Sequence, residues 1–217
     1  RGLLAASQFM AEMERTELIL PVTRWVLAEA LAQARVWREQ GLSLTMAVNI
    51  STRSLGQDST VADSVAEVIA TSGTPPHLLT LEITEDALGE ASASDILNRL
   101  HETGVTLSIA HYGTGRSSLA ELQHLPIDEI KIDRSFVAGL ARGGDDAVIV
   151  RSTIALGHNL GLSVVAEGVE DQATLGLLMA EGCNGAQGDV LSRPCPVAEL
   201  TSWLTESPPR VAVSASL

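Results

Sequence analysis

The 217 residues are 45% hydrophobic but only 3% aromatic, so the chain can bury a core, and that core must be made of Leu, Val, Ile and Ala. A net charge of −13 excludes general binding to nucleic-acid polymers or anionic membranes, because there is no basic surplus to neutralise phosphates. Cys183 and Cys195 lack metal-type spacing with histidine and are too sparse for a disulfide scaffold, which predicts a reducing, cytoplasmic setting.

No apolar run approaches the roughly 20 residues that span a bilayer, and a start at Arg1 rather than Met is expected of a piece of a longer protein. Residues 5–14 have helical spacing, with Phe9, Met10 and Met13 on one side. A clearer helix follows, with Pro21 in its first turn, a stripe of Val22, Val26, Leu27, Ala30, Leu31 and Ala34, and a stop at Gly41. Residues 42–50 then read as a strand ending in Asn49.

The same unit recurs along the chain. Asp58 or Ser59 caps a helix carrying Val61, Val65, Val68 and Ile69, and Gly73 and Pro75 stop it before a strand over 78–84. Ser92 or Ser94 opens a helix closed by Gly104, and 105–110 is the third strand. A Gly-rich turn and a short helix near 117–123 lead past Pro126 to a strand around Lys131. Next come a helix over 145–159, a strand over 163–167, and a helix capped by Asp171 that ends at Gly182. A last strand near 184–191 and a closing helix around 197–204 complete residues 1–206 as one domain, and 207–217 reads as a flexible tail.

Stops at Gly41, Gly73, Gly104, Gly161 and Gly182 predict alternating crossovers and a parallel α/β sheet. Six strands are predicted where a TIM-type barrel has eight. No G-x-G-x-x-G follows the first strand, and Gly113-Thr114-Gly115 after the third is read as a tight turn.

In the segment from Ile127 to Phe136, Ile130 and Ile132 share one strand face, whereas Glu129, Lys131 and Asp133 share the other. That pattern fits a barrel strand with an oily side toward helices and an ionic side toward a polar mouth. The strand ends in order are Asn49, Glu82, Ala110 with His111, Lys131 with Asp133, Glu167 and Gln187. Barrel enzymes collect their chemistry at such ends, and this set of amides, carboxylates and a lysine points to a divalent-metal and phosphate site.

The runs Ala47-Val48-Asn49-Ile50-Ser51-Thr52-Arg53, Leu81-Glu82-Ile83-Thr84-Glu85, Gly113-Thr114-Gly115-Arg116, Ile130-Lys131-Ile132-Asp133, Val165-Ala166-Glu167-Gly168 and Gln187-Gly188 resemble the EAL domain family, in this order, over about residues 2–204. That family hydrolyses cyclic di-GMP to the linear dinucleotide. The resemblance implies a (β/α) barrel lacking its first two strands, with a two-metal site using Mg or Mn. It implies Asn49, Glu82, Asp133 and Glu167 as metal-site residues, Lys131 and Gln187 as catalytic, and Arg53 and Gln187 as substrate contacts.

This chain departs from the pattern in places. The family's Glu-Ala-Leu signature and the Arg that follows it would lie before Arg1. The family's two adjacent Asp are replaced by Ala110 and His111, its following Tyr by Arg116, and an aromatic by Asp189. His111 could ligate a softer metal such as Zn, but a histidine beside Tyr112 in a Gly-rich turn is read as a turn residue. Two divalent ions bring four positive charges, against which Asn49, Glu82 and Glu167 set two carboxylates and one amide, so Mg or Mn binding is expected to be weak or absent. The expectation is a degenerate, hydrolytically silent domain acting as a regulatory or protein-interaction module. It would bind cyclic di-GMP weakly, follow upstream signalling domains, and be prone to self-association at its open sheet edges. The alternative is an active phosphodiesterase completed by upstream residues.

Overall fold

A computed structural model describes residues 13, 15–16, 18–51, 60–89, 93–115, 122–206 and, for the backbone, 214–216. Arg53, Arg116, the caps expected at Asp58, Ser59 and Ser92, and most of the short helix near 117–123 and of the helix over 5–14 lie outside the described residues.

The strands are β1 (Thr45–Ile50), β2 (Leu79–Thr84), β3 (Thr106–Tyr112), β4 (Glu129–Ile132), β5 (Ser163–Ala166), β6 (Gly185–Ala186) and β7 (Ser214–Ser216). The helices are α1 (Ile19–Glu39), α2 (Thr60–Ser72), α3 (Ala93–Glu102), α4 (Arg134–Val137), α5 (Asp145–Asn159), α6 (Gln172–Ala180) and α7 (Val197–Glu206). β1 to β6 pair in sequence order, all parallel, with α2, α3, α5 and α6 among the connections between them, and curl into the expected half-barrel. Gly41, Gly73, Gly104, Gly161 and Gly182 all take left-handed φ values between 67° and 86°, which explains why each helix stops where it does. Asp171 caps α6 as predicted, its carboxylate accepting a hydrogen bond from the Thr174 amide at 2.8 Å.

Parallel pairing in register puts alternate residues of every strand on one face. Met46, Val48, Leu81, Ile83, Ile109 and Ile130 turn to the helices, each no more than 1% exposed. Burying each such side chain stabilises the fold by about 1.5–3 kcal/mol. Leu81→Ala would forfeit that and leave a cavity, a loss of about 2–5 kcal/mol. The inner face carries short polar and ionic residues instead. At its N-terminal end lies a cavity of about 220 Å³, lined by Thr45, Thr80, Thr106, Glu129 and Ser163 among others. This cavity lies away from the strand ends that carry the ionic rim, described below, although Gln187 touches both.

Two expectations change. The last strand, expected over 184–191, shortens to Gly185–Ala186, because the chain turns away at Gln187. Its carbonyl accepts from the Val169 amide at 3.0 Å, and a Cβ on Gly188 would stand 2.2 Å from the Val169 carbonyl oxygen. The tail, expected to be a flexible linker, contributes Ser214–Ser216 as a parallel strand beside Thr45–Ala47 of β1. A half-barrel leaves the β1 edge with unpaired amides and carbonyls, and small Ser and Ala residues can lie along it.

Candidate functional site

The rim of the half-barrel is built by what each strand delivers at its C-terminal end. Glu82 on β2 and Lys131 on β4 are 4% and 1% exposed, and the Lys131 ammonium donates to the Glu82 carboxylate. It also donates to the Gln187 side-chain oxygen at 2.9 Å and lies 3.7 Å from Glu167 Oε1. A lysine this far from water is tolerated only because acceptors surround it. Asn49 lies beside Glu82 in the β1–β2 register.

β3 behaves differently. Its pairing with β4 runs from Ile109↔Ile130 to Tyr112↔Ile132, so two residues of β3, Ala110 and His111, face the single Lys131 of β4. Such a bulge re-aims a side chain. Ala110 brings a buried methyl group to the rim. His111 has φ 57°, the one positive value outside glycine among the described residues. For a side chain with a Cβ that conformation costs about 1 kcal/mol or more. It sets Nδ1 of the imidazole 3.0 Å from Asp133 Oδ2 and 3.3 Å from Glu167 Oε2. The turn reading of His111 holds for its backbone, since its carbonyl accepts from the Thr114 amide and hydroxyl. It misses the ring, which joins the rim.

Both carboxylates facing His111 are oriented by other partners. Asp133 caps α4, its Oδ1 accepting from the Ser135 amide at 2.9 Å and the Ser135 hydroxyl at 2.6 Å. Burial pushes the Asp133 carboxyl up, but the Ser135 hydroxyl and amide and His111 together hold it below the usual range. Glu167 is held above its usual value, mainly by burial, with Lys131 and His111 opposing and Glu82 and Asp133 adding to the rise.

The turn after β3 is anchored from below by Glu85, which sequence reading left without a role. Its Oε2 accepts from the Gly113 and Gly115 amides, both at 2.9 Å, and a Cβ on Gly115 would come within 2.7 Å of that carboxyl carbon. Asp189, where an aromatic was expected, makes an exposed ion pair with Arg193 at 3.1 Å.

Of the four expected metal-site residues, Asp133 and Glu167 come together, with His111 as their companion, and one ligand atom from each of the three lies within 4.8 Å of the others. Glu82 turns to Lys131 instead. A pair of magnesium or manganese ions does not fit these donors, since hard cations need many oxygens and β3 supplies a methyl group and a nitrogen.

The family model for the EAL domain matches residues 1–194. The bifunctional diguanylate cyclase/cyclic di-GMP phosphodiesterase MucR of Pseudomonas aeruginosa is 43% identical over 202 residues, 92% of this chain and 29% of that protein. The chain therefore spans less than a third of the length of this curated relative. The solved PaMucR phosphodiesterase in complex with cyclic di-GMP superposes with a TM-score of 0.87 at 40% identity, covering 92% of this chain and 82% of that one. The EAL domain of Mycobacterium smegmatis DcpA gives 0.81 at 38% identity, covering 88% and 86%. Among the described residues, no helix is long and apolar enough to cross a membrane.

Proposed function

Since the chain belongs to the EAL domain family and so to cyclic di-GMP signalling, we propose that it serves there as a regulatory or protein-interaction module that does not hydrolyse the dinucleotide with magnesium or manganese. The observation that carries this reading is the end of β3, where Ala110 and His111 supply no carboxylate between the Glu82 and Lys131 strands. Metal-assisted phosphodiester hydrolysis needs an ion that both activates a water and neutralises the developing charge. With those oxygens gone, Lys131 acts as a structural cation holding Glu82, Gln187 and Glu167 in place.

In this reading residues 1–206 form the domain, its setting is the cytoplasm, and its partners are other domains of a signalling protein. Cyclic di-GMP binds weakly, with Arg53 and Gln187 as the candidate contacts. The test is turnover of cyclic di-GMP to the linear dinucleotide in magnesium or manganese, alongside a Lys131→Ala control. Equal, background rates are expected, and metal-dependent turnover abolished in the control overturns the reading.

A second reading is favoured by the shared strand-end position of Asn49, Glu82, Lys131, Asp133, Glu167 and Gln187. With preceding strands supplied, the domain hydrolyses cyclic di-GMP as the name of MucR says of that protein. A longer natural chain assayed in the same way separates the two.

A further inference from the structure

Resting on the reading that the rim no longer serves a magnesium or manganese pair, we propose that His111, Asp133 and Glu167 form a site for one borderline transition-metal dication of the zinc type. The donor spacing supports the assignment, one ligand atom from each of the three lying within 4.8 Å of the others. Bonds of about 2.0–2.1 Å in a tetrahedron require donors about 3.3 Å apart. Nδ1 of His111 stands 3.0 Å from Asp133 Oδ2 and 3.3 Å from Glu167 Oε2.

Each carboxylate is divided between a holding partner and the centre. Asp133 Oδ1 is taken by the Ser135 amide and hydroxyl, which leaves Oδ2 toward His111. Glu167 Oε1 faces the Lys131 ammonium, which leaves Oε2 toward His111. Supporting contacts of this kind orient the ligands of protein metal sites.

Charge and donor type point the same way. Two carboxylates neutralise one dication and leave nothing for a second, while Lys131 already offsets Glu82. An imidazole nitrogen raises affinity for zinc, cobalt, nickel or copper over magnesium, which prefers an all-oxygen shell. His111 keeps 54% of its side chain exposed, so three protein donors leave the remaining coordination position open to solvent.

The same three side chains can also be satisfied by a protonated imidazole bridging two carboxylates with no metal at all. The experiment separates these states. The full chain is stripped with chelator and titrated with zinc chloride, and with cobalt(II) chloride followed by visible absorption, in a tenfold series of magnesium concentrations.

One zinc per chain is expected, with a cobalt spectrum of a four-coordinate site containing nitrogen, and no displacement by a thousandfold excess of magnesium. His111→Ala should weaken zinc at least a hundredfold. His111→Asn, whose residue type tolerates the positive φ, serves if the alanine variant does not fold and should weaken it equally. His111→Asp should narrow the preference for zinc over magnesium at least tenfold. Absence of stoichiometric zinc, unchanged affinity in the folded His111 variant, or equal competition by magnesium overturns the site. Turnover of cyclic di-GMP followed in the same samples with magnesium alone tests the hydrolysis-free reading separately: turnover beside intact zinc binding removes that reading and keeps the site, whereas no turnover and no zinc does the reverse.

Discussion

Glu82 on β2 and Lys131 on β4, which reach each other across β3, are almost wholly withdrawn from water, whereas at the end of β3 His111 stays half exposed beside Asp133 and Glu167. Both places set a nitrogen cation or donor against carboxylates on the same rim. In the first, both charges are withdrawn from water, so removing one leaves the other buried with fewer compensating partners. In the second, solvent can replace a lost partner. Substitutions at the β3 end therefore alter chemistry at little cost to folding, while substitutions in the buried Glu82–Lys131 pair threaten the fold itself.

The largest effect should come from Lys131→Ala, which leaves the Glu82 carboxylate buried without its ammonium. A loss of about 3–5 kcal/mol in denaturant unfolding is expected. His111→Ala should change the same measurement by less than about 1 kcal/mol, since the imidazole is half exposed and its contacts can be replaced by water. If the two variants are equally stable, the contrast between the buried pair and the β3 end is wrong.

Next in size is Glu85→Ala, which removes a buried acceptor from the Gly113 and Gly115 amides. Hydrogen bonds to a charged group are worth about 1.5–3 kcal/mol, and a stability loss in that range should come with faster hydrogen exchange at both amides. Unchanged exchange there would show that the turn holds itself without Glu85.

A smaller, pH-dependent effect is expected at Asp133, whose carboxyl is held low despite burial by Ser135 and His111. A depressed folded-state value contributes stability that is complete above the unfolded carboxylate value of about 3.9 and is lost as pH falls through the folded value. Asp133→Asn, which keeps a capping oxygen for Ser135, should flatten this acid limb of the stability curve and leave stability below it unchanged. A variant curve parallel to the wild type through the acid range would remove Asp133 as its source.

The smallest expected effect is none. Ala110→Asp with His111→Asp returns both carboxylates to β3, and the chain should still fail to hydrolyse cyclic di-GMP, because the strand ends that would complete the rim are not among these residues. Hydrolysis by this variant alone would show that Ala110 and His111 are all that separates these residues from activity.

How much of this rim can be read from the sequence depends on what fixes each residue. The alternation of Ile130 and Ile132 with Glu129, Lys131 and Asp133 is local, and it places Lys131 on the inner face as read. Helix α5 spans the predicted 145–159, set by acidic residues in its first turn and Gly161 after its last. The His111 ring was not legible, because its position follows from an unequal register between two strands that are about 20 residues apart. Glu85 escaped notice for a related reason: its partners are backbone amides of glycines, which leave no complementary side chain to recognise. The shortened β6 reflects contact with Val169, which a propensity reading of 184–191 does not contain.

The strand at Ser214–Ser216 closes against Thr45–Ala47 across about 170 residues of intervening chain. During synthesis every crossover from β1 to β6 can dock as soon as it leaves the ribosome, but this pairing at the β1 edge must wait until residues 214–216 emerge. Closing so long a loop adds entropy cost and raises contact order, which slows that final pairing relative to the rest. Until then β1 lacks this partner, and deleting residues 214–216 would leave that pairing unmade however far the rest of the sheet had formed.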